Sequence, residues 1–344
     1  MLNKRLLYIS QSGSDKPNLM LDGFSAIHYL EIHKIFKKKS SYDYYKNPQP
    51  LIYRFFNKIG FPVDSFYLNI KILISLFKFN YDYMFFVKAT EIYPLILRVI
   101  KTKSPTTKII FWSNDDMYVK HNRSFLYIHC LKYVDLVVTS KSYNLNELNL
   151  LGARNILFQD NSYSQIQHNA EKSIDNFNFS HDVIFIGTFE LERAKSIYFL
   201  ALNGIVVHVY GSIWKKLPPE FSHKNMILHY KNLNGNLYAD AIKSSKISLC
   251  FLRKINRDLQ TTRSIEIPAL KGFMLAERTD EHLRLFKEDA EAAFFSSNEE
   301  LLAKVKFYLT NSRLRKKIAS AGHARCLKGK YASSYRCKEI INYF

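Results

Sequence analysis

TTRSIEIPALKGFMLAE, residues Thr261 to Glu277, follows directly on LCFLRKINRDLQ, residues Leu249 to Gln260. An apolar run of strand length, Ile247 to Leu252, opens into a basic, polar loop. Two threonines then start a helix that carries Glu266 one turn in. Lys271-Gly272 ends that helix, and a second short strand, Phe273 to Ala276, follows. The start of a helix offers unpaired backbone N–H groups and the positive end of the macrodipole, which suits a diphosphate. Arginines beside it add charge and fork-shaped donors. A carboxylate within reach accepts hydrogen bonds from two ribose hydroxyls. A nucleotide sugar needs this combination.

Outward from this stretch, short apolar runs alternate with amphipathic segments. Leu6 to Ser10, Met84 to Val87, Lys108 to Trp112, Leu136 to Thr139 and Ile156 to Phe158 read as buried strands, with helices at Ile92 to Lys101 and Tyr143 to Leu151. The rhythm pauses in the Asn/Ser/Gln-rich stretch Asp160 to Ser180. It restarts with Asp182 to Gly187, Val206 to Gly211, Met226 to His229, Ile247 to Leu252, Phe273 to Ala276 and Ala293 to Phe295, and closes with helices from Asn298 onward. Alternating strands and helices imply parallel sheets covered on both faces. The expected α/β organisation is a Rossmann-like domain over 1–165, a linker over 166–180 and a second Rossmann-like domain with terminal helices over 181–344. Ligands of such sheets bind beyond the carboxyl ends of the strands, so the expected site is a cleft between two facing domains.

The residues of the opening stretch carry a resemblance. Arg263, Ile265, Glu266-Ile267-Pro268-Ala269, Gly272-Phe273-Met274-Leu275, Glu277 and the later Ile318-Ala319 with Gly322 resemble the C-terminal pattern of CgeB-like glycosyltransferases. DVIFIGTFELERA (Asp182 to Ala194) and VYGSIW (Val209 to Trp214) extend it, with FWSNDD and YVDLVVTS as looser matches in the first half. That group resembles glycosyltransferase family 4 and has the GT-B fold, with two Rossmann-like domains facing across a cleft. The resemblance implies a nucleotide-diphosphate-sugar donor as co-substrate, no cofactor and no catalytic metal. It implies retention of anomeric configuration, in a hexosyltransferase type of reaction. Family 4 enzymes carry E-x7-E here; this chain has Asp258 and Glu266 eight apart. Glu266 resembles the acid that contacts the donor ribose, and Asp258, shorter by a methylene, the one near the donor sugar.

Arg253, Lys254, Arg257 and Arg263 place four cations within eleven residues at a strand's carboxyl end. They suit a diphosphate leaving group whose charge builds as the glycosidic bond breaks. Arg263 is the strongest candidate, since a cation in the first turn opposes the dipole unless an anion is present. Thr262 and Ser264 flank it as donor-binding candidates. Gly187-Thr188 follows a strand and precedes a helix: the glycine permits close approach of a ligand, and Thr188 caps the helix or reaches a phosphate. One glycine is not a dinucleotide motif. Gly211 and Trp214 end the next strand, where Trp214 either stacks on a base or packs as an aromatic. In the first half, Trp112-Ser113-Asn114-Asp115-Asp116 closes a strand. Asp115 either binds an acceptor or acts as a base, or Asn114 or Asp115 caps a helix.

The chain has 344 residues, 47% of them hydrophobic, and a formal charge of +20. That composition excludes disorder and is compatible with phosphorylated ligands, nucleic acid or an anionic membrane. The charge is spread out, with no Lys/Arg run longer than the three of Lys37 to Lys39, which argues against nucleic acid as a partner. Lys34 to Lys58 holds seven Lys/Arg among Phe36, Tyr42, Tyr44, Tyr45, Tyr53, Phe55 and Phe56. This mixture suits an anionic leaflet, or aromatics packed inward with solvated lysines. Cys130, Cys250, Cys326 and Cys337 form no CxxC pattern, which favours a reducing cytoplasm. His121, His129 and His168 are lone, and no metal site is expected. No signal peptide or spanning segment is expected, so the anticipated setting is cytoplasmic, peripheral at the inner face of the membrane, with a glycan or lipid-linked acceptor. Alternative readings are a nucleotide-sugar epimerase or phosphorylase on the same fold, and a non-enzymatic binding protein on a degenerate one.

Overall fold

A computed structural model describes residues 4–13, 18–38, 51–64, 67–167 and 180–344. The chain forms two compact units, Met1–Asp160 with Ile340–Phe344, and Asn161–Glu339.

The first unit is built on a parallel sheet of β1 (Lys4–Gly13), β2 (Leu30–Lys38), β3 (Tyr83–Val87), β4 (Lys108–Ser113), β5 (Leu136–Thr139) and β6 (Ile156–Phe158), in the order β2-β1-β3-β4-β5-β6. Alternate residues of each strand face opposite layers. Leu7, Ile9, Met84, Phe86 and Phe111 pack with Leu97 and Ile100 of the Pro94–Lys103 helix. On the other face Tyr8 stacks on Phe85 at 5.6 Å, and Phe24 meets the same ring edge-on at 4.8 Å.

The second unit repeats the plan with β7 (Val183–Ile186), β8 (Val207–Tyr210), β9 (Met226–Leu228), β10 (Ile247–Cys250), β11 (Met274–Glu277) and β12 (Ala293–Phe295), in the order β12-β11-β10-β7-β8-β9. Ile184, Cys250, Met274 and Phe294 face a core that includes Ile242, Ile265 and Leu270. Val183, Phe185, Leu249 and Leu275 face another with Ile197, Leu200, Trp214 and Val305. Both sheets are parallel throughout, as the continuous apolar runs require. All four cysteines are buried thiols. Burial pushes Cys130 and Cys250 up to about 12, which leaves them unreactive.

Three sequence-based expectations need correction. β2 is absent from them because it is an edge strand, and its run LEIHKIFKK alternates polar with apolar residues. Part of the basic-aromatic region Lys34 to Lys58 is therefore strand. Lys37 in it is buried, with Nζ 2.5 Å from Glu91 Oε1, and is no surface cation. Tyr42, Tyr44 and Tyr45 lie outside the described residues. The division between units falls at Asp160/Asn161, at the start of the polar stretch Asp160 to Ser180 where the rhythm of the sequence pauses. Asn161, Ser162, Tyr163 and Ser164 are buried, and Tyr163 N–H donates to Tyr331 O at 3.2 Å while Ser333 N–H donates to Tyr163 O at 2.9 Å. Those hydrogen bonds tie residues expected in the first domain, 1–165, into the second unit. Residues 168–179, with His168, lie outside the described residues. Ile340–Phe344 belong to the first unit, where Phe344 packs against Tyr83 at 6.2 Å and lies under Lys108 Nζ at 5.4 Å.

The turns after β7 and β8 touch through glycine. A Cβ on Gly211 would stand 2.3 Å from the Gly187 carbonyl oxygen, and Gly187 N–H donates to Tyr210 O at 3.0 Å. Gly211→Ala must separate the two turns and should cost about 1–3 kcal/mol by overpacking. Urea unfolding measures this, and an unshifted midpoint would contradict the contact.

Candidate functional site

Arg193, on the Leu191–Leu202 helix, is only 6% exposed and makes no ion pair among the described residues. Its guanidinium donates to three backbone carbonyls: Nη1 to Thr188 O at 3.0 Å, Nη2 to Phe251 O at 3.2 Å and Nε to Leu252 O at 3.3 Å. The loops leaving β7 and β10 are thereby fixed to each other. Burial pushes the Arg193 pKa down, Glu190 acts against this, and Arg263 and Arg253 add repulsion. Arg253 Nε in turn donates to Glu190 Oε1 at 2.7 Å. Three guanidinium groups within electrostatic reach of one another make a place that favours an anion.

The loop from β10 ends in a buried polar network. Thr261 is the N-cap of the Thr262–Ala269 helix, and its N–H donates to Ser264 Oγ at 3.0 Å. Ser264 Oγ lies 2.7 Å from His282 Nε2, and His282 Nδ1 lies 2.6 Å from Glu277 O. A carbonyl can only accept, so Nδ1 carries the proton and Nε2 accepts from the serine hydroxyl. Burial keeps His282 neutral by lowering its pKa. Thr279 Oγ1 donates to Leu259 O at 2.6 Å, and Gln260 Oε1 accepts from Asn161 N–H at 3.0 Å. These bonds hold the helix start in place. Arg257, with φ 50° in the left-handed region, turns the chain ahead of it.

Several expected residues gather around this frame. Arg263 is half-buried and its Nε donates to Ile186 O at 2.5 Å, beside Gly187. Glu266 is half-buried and accepts from the Tyr238 hydroxyl at 3.1 Å. Burial first, and the Glu266 carboxylate next, hold the Tyr238 phenol protonated. Thr262 is half-buried in the first turn and Thr188 is exposed after β7. Asp258 is 8% exposed, its N–H bonded to Arg253 O at 3.1 Å. Lys254 Nζ pairs with Glu277 Oε2 at 2.5 Å, while Oε1 accepts Leu252 N–H at 2.9 Å. A cavity of about 380 Å³ opens beside Lys254, Glu277, Arg278 and Arg193, and neither Arg263 nor Glu266 lines it.

Other expectations fail on burial. Trp214 is fully buried, with Nε1–H donating to Gly187 O at 2.9 Å and its ring edge-on to Phe189 at 5.4 Å, so it stacks on no base. Gly211 is taken up by the same packing. Ser264 is fully buried and committed to Thr261 and His282, which removes it from the donor set. Glu190, not Thr188, is the N-cap of the Leu191–Leu202 helix. In the first unit Asp115 pairs with Lys88 Nζ at 2.5 Å, and neither it nor Asn114 caps a helix. Ser124 caps the Phe125–Cys130 helix instead. Arg193 and His282 escaped sequence reading.

Comparison with known proteins places this geometry. Residues 193–342 match the family model described as glycosyl transferase-like. No curated protein sequence matches the chain. Among solved structures, Anabaena HepE in complex with UDP-glucose is similar over 99% of this chain and 100% of its own, at 11% identity and a TM-score of 0.60. Sucrose-phosphate synthase from Thermosynechococcus elongatus is similar over 99% and 98%, at 10% identity and a TM-score of 0.64. A candidate UDP-N-acetylglucosamine 2-epimerase from Listeria monocytogenes is similar over 99% and 95%, at 11% identity and a TM-score of 0.58. The fold is GT-B, and the similarity to the glycosyl transferase-like family lies within the second unit and the first residues of the returning tail.

Ser264→Ala separates the two possible roles of that residue. It leaves Thr261 N–H and His282 Nε2 without their partner and should cost about 1–3 kcal/mol of stability. Chemical unfolding reads this directly. Unchanged stability with weakened nucleotide binding would return Ser264 to the donor set.

Proposed function

We propose that the chain is a glycosyltransferase of the CgeB-like kind that moves a sugar from a nucleotide-diphosphate donor to a cell-surface glycan or lipid-linked acceptor. It does so without a catalytic metal and with retention. The observation that carries the reading is the start of the Thr262–Ala269 helix. Arg263 there reaches back to Ile186 O at the end of β7, and Glu266 stands one turn on, beside the Tyr238 hydroxyl. As the bond between the anomeric carbon and the diphosphate breaks, negative charge collects on the leaving group. Arg263, Arg253 and the helix start stabilise it most when it is greatest, in the transition state. Glu266, oriented by Tyr238, accepts the ribose hydroxyls. Asp258 is assigned to the donor sugar, and Asp115 to the acceptor. The motif Arg263 to Leu275 supports the CgeB-like assignment, and family 4 resemblance supports retention.

The UDP-glucose complex of Anabaena HepE makes UDP-sugars the first donors to try. Glu266→Ala should weaken binding of the nucleotide diphosphate by roughly 1.5–3 kcal/mol for each charged hydrogen bond lost. Arg263→Ala should chiefly lower kcat. Calorimetric titration and donor turnover check both, and unchanged values in both variants would sink the site. An epimerase on this fold would instead release an isomerised nucleotide sugar with no acceptor present, which NMR of the products detects.

We further assign the enzyme to the cytoplasmic face of an anionic membrane. No helix among the described residues is long and apolar enough to cross one. The Leu51–Lys58 helix instead exposes Leu51 (79%), Ile52 (62%) and Phe55 (59%). The Leu68–Lys78 helix exposes Ile70, Ile74 and Phe77. Arg54, Lys58, Lys71 and Lys78 accompany them, and neither helix contains an acid. Apolar residues among cations suit the boundary of an anionic leaflet, where each cation contributes about 1 kcal/mol. Co-sedimentation should show binding to anionic vesicles that falls with salt and is absent with neutral ones. Equal, negligible sedimentation with both at low salt would end this assignment.

A further inference from the structure

Three histidines of the second unit gather where its strands β7, β8 and β9 run side by side. His181 lies just before β7, His208 is within β8 and His229 directly follows β9. In the parallel register His208 stands opposite Ile184 and Ile227. Ile184 and Tyr210, on the same face, belong to the apolar core. The three imidazoles are half-buried, and Lys231 Nζ lies 5.9 Å from the Tyr210 ring beside them. His181 stacks on His208 with centroids 3.6 Å apart, and His229 stacks on Tyr210 at 4.0 Å. His208 Nδ1 lies 3.1 Å from His229 Nε2, and His181 Nε2 lies 2.9 Å from the Tyr210 hydroxyl. One nitrogen from each ring can be chosen so that all three lie within 4.8 Å of one another.

We propose that His181, His208 and His229 bind one divalent transition cation of the zinc class, clipping the entry to β7 onto strands β8 and β9. Zinc holds imidazole nitrogen at about 2.0–2.1 Å, which sets two of its nitrogens roughly 3.3 Å apart. The His208–His229 pair already stands close to that separation, and His181 would have to leave its stack on His208 and its bond to the Tyr210 hydroxyl to point a nitrogen at the same cation. Three nitrogen donors select zinc, nickel, copper or cobalt over the hard cations. Metal binding needs neutral imidazole. Burial lowers the pKa of all three rings, that of His181 to about 4 with His208 and His229 adding to the effect. They are therefore neutral, and ready to coordinate, at neutral pH. Two charges nearby oppose each other: Asp182 acts on His208 as an attractive carboxylate, and Lys231 acts on His229 as a repulsive cation. None of the three histidines is a donor-site residue, so this cation is separate from the metal-independent transfer proposed above.

The test uses untagged full-length protein incubated with zinc, then dialysed against a weak chelator, with bound metal measured by mass spectrometry. Wild type should retain about one zinc per chain and melt at a higher temperature with zinc than without. His208→Gln and His229→Gln should each weaken binding by more than about tenfold and abolish the thermal shift. His223→Gln, outside the cluster, should do neither. Cobalt in place of zinc should give visible absorption that both cluster variants lose. If His208→Gln does not fold, His229→Gln at the end of its strand decides alone. No retained zinc in wild type, or equal retention in wild type and the cluster variants, overturns the proposal and leaves a neutral histidine–tyrosine stack.

Discussion

A buried cation with no ion pair among the described residues governs the second unit. Arg193 spends its guanidinium on three carbonyls, Thr188 O, Phe251 O and Leu252 O, at the ends of two neighbouring strands. Parallel sheets leave such carbonyls unpaired where the strands stop. Supplying the donors from one rigid fork both satisfies them and sets the spacing of the loops. Several candidate residues hang on those loops: Thr188 after β7, Arg253 and Asp258 after β10, and Arg263 bonded back to Ile186 O. Lysine, a point charge with rotatable donors, could not hold three acceptors in one plane.

The same residue sets the electrostatics. Burying one guanidinium next to two others is unfavourable, and Glu190 compensates only in part. The residual positive potential is the property that an anionic leaving group would relieve. The polar groups securing the loops are buried, as is Asp258, and the other side chains assigned to the donor are half-buried or exposed. Ser264, His282 and Gln260 are fully buried, whereas Arg263, Glu266 and Thr262 are half-buried.

The sheets were legible because central parallel strands are apolar on both faces, so Leu6 to Ser10 or Val183 to Ile186 announce themselves without context. β2 was not, since an edge strand has one open side and its lysines read as surface charge. The strand–loop–helix unit around Arg263 and Glu266 was legible because turn chemistry and charge are local. Trp214 and Ser264 were misread for the converse reason. An indole or a hydroxyl looks the same in sequence whether it faces a ligand or a neighbouring turn, and only packing over long sequence separations tells them apart. Arg193 and the trio His181, His208 and His229 were missed likewise, because their partners lie on other strands.

Residues Ile340–Phe344 lie with the first unit although nearly all of the second separates them from it in sequence. Phe344 packs on Tyr83, at the amino end of β3, and under Lys108, at the amino end of β4. Chains emerge from the ribosome amino end first, at about 5–20 residues per second. The first sheet must therefore wait, with that end uncovered, for the whole second unit to be synthesised. Packing at the amino ends of β3 and β4 thus uses residues made later than every residue of the second unit.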